Sequence, residues 1–260
     1  MGDIRADPRP RVPSRTHPGA GMGAAAAAAA VIIAVAAGML YMHSRSALRS
    51  TGAPSTPSAS ASTPPGPSAG GQAGAELQHL RILPTRPHIA GYQRDCGDGR
   101  ACSFGDGWAA IPGGDAECNT RDLVLARQLT HIAYATGSTC NIVAGTLHDP
   151  YTGQTVLLTK ADPEAVQVDH VFPLAAAYDL GAANWPQAER DAFAQDLTEL
   201  TAASGNANDD KGDSTPGEWM PSNYADRCQY AARYIAVADK YQLAITTADQ
   251  AALSAALATC

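Results

Sequence analysis

The chain has 260 residues, enough for one or two domains with a sizeable core. It carries 18 Lys and Arg against 25 Asp and Glu, a formal net charge of −7 at pH 7. That acidity excludes the broad basic footprint on which most nucleic-acid binders rely. A phosphate-bearing partner has to be met through a local basic patch, a cation, or both.

The front of the chain is not globular. Residues 1–20 form a polar tail with Arg5, Arg9, Arg11 and Arg15. Residues 21–42 are uncharged, include seven consecutive alanines, and are long enough to span a bilayer as a helix. The arginines ahead of the run favour a cytoplasmic N-terminus and an outside C-terminus, although Arg45 and Arg49 behind it work the other way. A cleaved signal peptide is the alternative. The absence of a clear small-x-small cleavage site favours an uncleaved single-pass anchor. Either way the remainder is exported, on the cell membrane or secreted. Residues 43–76 are rich in Ser, Thr, Pro, Gly and Ala, cannot bury a core, and read as an extended linker. The globular part is expected over residues 77–260.

All six cysteines, Cys96, Cys102, Cys118, Cys140, Cys228 and Cys260, lie beyond the linker. An even number in an exported domain points to three disulfides, with fifteen pairings open. The favoured set is Cys96–Cys102, Cys118–Cys140 and Cys228–Cys260. No C-x-x-C spacing supports a zinc site. From Leu77 onward there are twelve Lys and Arg against twenty-two Asp and Glu, so this part has a net charge of −10.

Residues 79–83 read as a short strand or helical turn. Residues 96–108 are dense in Gly and Asp but lack the spacing of a calcium loop. A helix starts near Cys118, with Thr120 as N-cap and Asp122 in its first turn, and its apolar spacing continues to Gly137. Residues 141–147 and 154–158 form a hairpin around the turn residues Asp149, Pro150 and Gly153. Residues 165–172 are a strand that delivers Asp169 and His170 and is closed by Pro173. A short helix covers residues 174–180 and stops at Gly181. Trp185-Pro186 opens another, with Pro186 at its first helical position. Residues 198–203 form a second strand, and residues 206–213 a turn with a short helix. Trp219 reads as a core plug. Ser222 caps a helix to about Tyr241, and Thr247 opens a capping box for a last helix that ends at Cys260.

Four of these residues carry phosphodiester chemistry. Asp169 offers a hard oxygen to a divalent cation. His170 beside it titrates near neutrality and suits a general base. Asn208 adds a neutral oxygen, and Lys211 a charge for a phosphate. A bound cation would stabilise charge on the phosphate and on the leaving oxygen.

The wider pattern of Val168-Asp169-His170-Val171-Phe172-Pro173-Leu174, Trp185, Arg190, Asn208-Asp209-Asp210-Lys211-Gly212-Asp213 and Trp219-Met220-Pro221 resembles a known family. It is the secreted actinobacterial branch of the HNH endonuclease-like proteins with the GmrSD C-terminal type of domain. The resemblance runs from about Phe104 to the C-terminus. It implies an α+β fold, helix-rich and disulfide-stapled, with a small antiparallel sheet and a ββα-metal motif. It also implies that Asp169 and Asn208 hold Mg²⁺ or Mn²⁺ and that His170 activates water. Glu199 stands where the family has an Asn that orients the base. A Glu there can accept a hydrogen bond from the imidazole, assist the metal, or mark an inactive site. Lys211 and Asp213 are expected behind the metal or at the phosphate, and Arg121 and Arg190 at the substrate. The function implied is an extracytoplasmic metal-dependent nuclease with non-specific, weak nucleic-acid contact. The rival is an inactive, disulfide-stapled extracellular binding or structural domain on the same fold.

Overall fold

A computed structural model describes residues 69–94, 102–111 and 118–260. The basic tail, the expected span at residues 21–42, most of the expected linker and Cys96 lie outside the described residues. Among the described residues no helix is long and apolar enough to cross a membrane.

The described chain begins with helix α1, Ala69–Leu77. The helix begins inside the stretch expected as linker to residue 76, which was read from its Ser, Thr, Pro, Gly and Ala content. Ala73 and Leu77 are buried, and the helix packs on two helices near the C-terminus. Gly70 permits that approach, because a Cβ there would lie 2.9 Å from the side chain of Cys260. Strand β1, Ile82–Leu83, follows.

Helix α2, Thr120–Gln128, is capped by Asn119, whose side chain accepts from the backbone N–H of Asp122 in a capping box. The cap is thus one residue ahead of Thr120. The helix also ends nine residues before Gly137. The chain turns at once into strand β2, Leu129–Tyr134. Thr130, Ile132 and Tyr134 are strand-favouring residues. The ladder to β3, Ile142–His148, pairs Thr130 and Tyr134 across irregular register, with His131 at φ 52 in the irregular stretch. Strand β4, Thr155–Leu158, closes the expected hairpin. Asp149 staples its turn from a fully buried position. Its carboxylate accepts from the N–H groups of Tyr151, Thr152 and Ser204.

Strand β5, Val166–His170, pairs antiparallel with β6, Leu200–Ser204, and helix α5, Gly205–Lys211, leaves β6 without an intervening loop. This is the ββα unit. Gly205 makes the junction possible, because a Cβ there would collide with the carbonyl oxygen of Glu164. Between the strands lie α3, Leu174–Leu180, and α4, Gln187–Ala194. Helix α3 has its expected limits. Pro186 takes the cap position of α4, one residue ahead of the helix.

Helix α6, Arg227–Lys240, follows a 3-10 turn at Tyr224–Asp226, so Ser222 does not cap it. The Ser222 hydroxyl instead donates to the carbonyl of Tyr151. Strand β7, Ile245–Thr246, pairs parallel with β1. Thr246, one residue ahead of the expected Thr247, caps α7, Thr247–Leu257, in a capping box with Asp249. The single small sheet expected is therefore three: the parallel pair β1–β7, the antiparallel trio β2–β3–β4, and the antiparallel pair β5–β6. The class remains α+β and helix-rich.

The ββα unit contributes to two apolar cores. Val166, Val168, Leu200 and Ala202 join Leu125, Leu147 and Leu158 in one. Phe172, Ala203 and Ala207 join Phe193, Tyr234 and Ile235 in the other. Burying one side chain of that size contributes about 2–3 kcal/mol. The strand end that carries Asp169 and His170 is thereby fixed. Cys118 pairs with Cys140 and Cys228 with Cys260, with Cα atoms 5.7 and 5.3 Å apart, as favoured from the sequence. Cys102 is also disulfide-bonded; the expected pairing with Cys96 falls outside the described residues.

Candidate active site

Strand β5 ends by turning Asp169 inward. The side chain is nearly buried, and both carboxylate oxygens are engaged. Oδ1 accepts from Lys211 Nζ at 2.9 Å and Oδ2 from the Tyr151 hydroxyl at 2.5 Å. Lys211 is 0 % exposed and also donates to the carbonyl of His170 at 2.8 Å. A buried pair of this kind is tolerable because each charge is matched by the other and by a further hydrogen bond, from Tyr151 to Asp169 and from Lys211 to the His170 carbonyl. Burial pushes the Asp169 carboxyl up, and Lys211 and Tyr151 pull against it. Burial, together with the charge of Asp169, raises Tyr151 far above the usual phenol range.

His170 is half-buried. Its Nε2 lies 3.0 Å from the carbonyl oxygen of Ala194, at the last residue of α4. A carbonyl only accepts, so Nε2 carries the hydrogen. In the neutral ring Nδ1 is then the basic nitrogen. Trp108 stacks on the imidazole, with ring centroids 5.6 Å apart and planes 10° from parallel. Burial, with the cations Arg94 and Lys211 nearby, lowers the His170 pKa to about 3, against the pull of the Ala194 bond.

Asn208 sits on the second turn of α5. Its amide nitrogen donates to Gln167 Oε1 at 2.7 Å, which fixes the amide plane. Asp169, His170 and Asn208 line one cleft of about 520 Å³, together with Arg94, Asp209 and Asp213. Among the described residues no group of three or more His, Cys, Asp or Glu is arranged to hold a metal ion. Of the oxygens at the cleft, the Asp169 carboxylate and the Asn208 amide are the expected pair, and two such donors suit a hard, largely hydrated cation better than one that needs an all-protein cage. Both Asp169 oxygens already accept hydrogen bonds, from Lys211 and Tyr151.

Several expected roles are corrected by these contacts. Glu199 is 0 % exposed and spends both carboxylate oxygens on the N–H of Phe172, at 3.0 and 3.2 Å. The backbone of Ala194 fixes the imidazole in its place. Burial drives the Glu199 carboxyl well above the usual range. Of the two places expected for Lys211, the contacts match the one behind Asp169 and not the one at the phosphate, since the side chain is sealed beneath the Asp169–His170 pair. Arg190 is consumed by the carbonyls of Ser103, Trp185 and Ala182 and by Gln187, and it holds α4 to the segment before it. Arg121 donates to the carbonyl of Val166 and steadies the start of β5. Neither arginine lines the cleft. Asp213 does, while also paired with Arg86 at 3.2 Å. Trp219 packs edge-on to Tyr151 and Tyr230, in keeping with a core plug.

Four groups at the site were missed from the sequence. Tyr151 was read only as part of a turn. Arg94 and Trp108 come from the segment ahead of α2, far from Asp169 in sequence. The carbonyl of Ala194 belongs to the backbone, and the one signal for it is that a helix C-terminus leaves acceptors unpaired.

Residues 119–256 match the family described as GmrSD restriction endonucleases, C-terminal domain. The chain is also 36 % identical over 200 residues to an uncharacterized secreted protein of Arthroderma benhamiae, covering 76 % of this chain and 89 % of that protein. No solved structure matches the chain. The matched span takes in β5, β6 and α5 with Asp169, His170 and Asn208. On a match over more than half of its length that contains the whole ββα unit, the chain belongs to the family of GmrSD restriction endonuclease C-terminal domains.

Proposed function

We propose that the chain is an extracytoplasmic, metal-dependent nuclease that hydrolyses phosphodiester bonds of DNA or RNA. The observation that carries this is the tautomer of His170. Its Nε2–H is committed to Ala194, so a basic Nδ1 remains on a residue that shares a cleft with Asp169 and Asn208. His170 takes the proton of the attacking water at Nδ1, and the Ala194 carbonyl steadies the imidazolium that results. Lys211 holds the backbone of His170 and the carboxylate of Asp169 in place. Arg94 is the cation at the cleft for the phosphate. Asp169 and Asn208 would hold Mg²⁺ or Mn²⁺, which supplies charge neutralisation for the phosphate and the leaving oxygen. The disulfides, and the secreted relative, support a place outside the cytoplasm. Residues 21–42 would serve as membrane tether or as signal.

The test is cleavage of plasmid DNA and of RNA by the full-length protein with its disulfides formed. Mg²⁺, Mn²⁺ and EDTA are compared, beside His170→Ala. Metal-dependent cutting that falls about 10²- to 10⁴-fold in the variant is expected. A folded protein that cuts neither substrate in any metal would overturn the proposal. It would favour the second reading, an inactive binding domain. Two observations point that way: the charge of Asp169 is already matched by Lys211, and burial lowers His170 to about 3, well below the near-neutral value expected of a general base.

A further inference from the structure

We infer that the recess beside His170 is a nucleobase pocket, and that the enzyme therefore takes single-stranded nucleic acid in preference to duplex. This rests on the nuclease proposed above and adds the substrate class. The recess has a volume of about 290 Å³ and is lined by Tyr92, Arg94, Phe104, Trp108, His170 and Leu174. That is close to the roughly 300 Å³ at which pockets begin to enclose small organic ligands.

It adjoins the cleft: Tyr92, Arg94, His170 and Leu174 line both. A group seated in the recess thus lies against the same His170 and Arg94 that border the cleft. The walls are built rather than incidental. Trp108 is held by Gln195, whose Oε1 accepts from Ala109 N and whose Nε2 donates to Gly107 O, each at 2.9 Å. Tyr92 is braced by Phe104 and Tyr178, at centroid distances of 6.4 and 5.6 Å. Aromatic walls with the Arg94 guanidinium, beside one carboxylate from Asp106, make a composition that accepts a base by its π-face and a phosphate by the charge of Arg94.

The charge of the domain supports the same occupant. With twelve basic against twenty-two acidic residues from Leu77 onward, the protein lacks the surface to track a long duplex. Stacking supplies affinity that does not depend on a basic face. A base within a duplex has both faces covered by its neighbours and cannot enter. A base in a single strand can.

Binding is measured in EDTA, so that no cleavage occurs. The full-length protein is titrated into a fluorescein-labelled 12-nucleotide single strand and into the duplex of the same sequence. The single strand is expected to bind more tightly. Trp108→Ala should weaken it by about 5- to 100-fold, the worth of one base on an aromatic ring. Trp108→Phe should retain most of the affinity, and neither substitution should change duplex binding. A second arm needs no variant: a nucleoside 5′-monophosphate should compete with the strand, and ribose 5-phosphate should not. Equal binding of strand and duplex, or equal competition by the base-free sugar phosphate, overturns the pocket. If those results come with metal-dependent cutting, the nuclease stands without it. A protein that neither binds nor cuts any strand loses both.

Discussion

Replacing Lys211 with Met separates the support of the site from its chemistry. Lys211 Nζ sits 2.9 Å from Asp169 and 2.8 Å from the carbonyl of His170, with side-chain exposures of 0 % for Lys211 and 6 % for Asp169. Removing one partner of such a pair strands the other charge, at a cost of about 3–5 kcal/mol. The lost bond to the His170 carbonyl adds about 1 kcal/mol. Total stabilities run to about 5–15 kcal/mol, so the loss is a large share of the whole. Urea unfolding at pH 7 reads it directly. With a slope of about 2–3 kcal/mol/M, the midpoint should fall by at least about 1 M. The double variant Lys211→Met with Asp169→Asn should recover more than half of the loss, because the stranded charge is gone. A loss below about 1 kcal/mol in the single variant would refute the reasoning. It would show that water already screens the pair.

Three further outcomes follow from other parts of the structure. Gly205→Ala should destabilise by about 1–3 kcal/mol, despite the better helix propensity of Ala, since its methyl meets the Glu164 carbonyl; a thermal melt at or above wild type would contradict this. In the metal-free protein the folded pKa of His170, about 3, lies below the unfolded value of about 6.5, so the unfolded chain binds the extra proton between them. The contribution of His170 is complete above pH 6.5 and is lost as pH falls toward 3. His170→Gln should flatten the slope of stability between pH 6.5 and 5 relative to wild type, a difference in which the carboxyls raised by burial, Asp226 at about 6 among them, are common to both proteins. Finally, a chain that starts at residue 78 lacks the buried Ala73 and Leu77. It should lose about 2–4 kcal/mol against one that starts at residue 62, visible as a lower Tm. Equal melts would mean that α1 is not part of the folded core.

The sequence carried the local signals well and the long-range ones poorly. Alternating Val166 and Val168 placed the Asp169 strand, Gly181 ended α3, and Pro150 with Gly153 marked the hairpin turn. Each depends on neighbours within a few residues. The end of α2 is obscured because Leu129, Ile132 and Ala133 continue a helical spacing by chance, while Leu129 and Ala133 pair with β3. Helix α1 was hidden in Gly and Ala, which look like linker until Cys260 packs against Gly70. The roles of the basic residues failed for another reason. A letter K or R gives a charge but not its surroundings. Arg190 among carbonyls and Lys211 under Asp169 are braces, whereas Arg94 at the cleft drew no notice. Asp169, His170 and Asn208 stand out as candidates because their chemistry is written in their side chains.

Glu199 shows how a change of letter can be smaller than a change of chemistry. With no water to solvate its charge, the carboxyl is driven toward its neutral form. A neutral carboxyl offers one donor and one acceptor from a planar group, much as a primary amide does. Toward the N–H of Phe172 it presents the acceptor that an Asn or Gln would present. Burial thus disfavours the charge that the change of letter introduces, and the one contact the side chain makes is a contact that an amide oxygen could make as well.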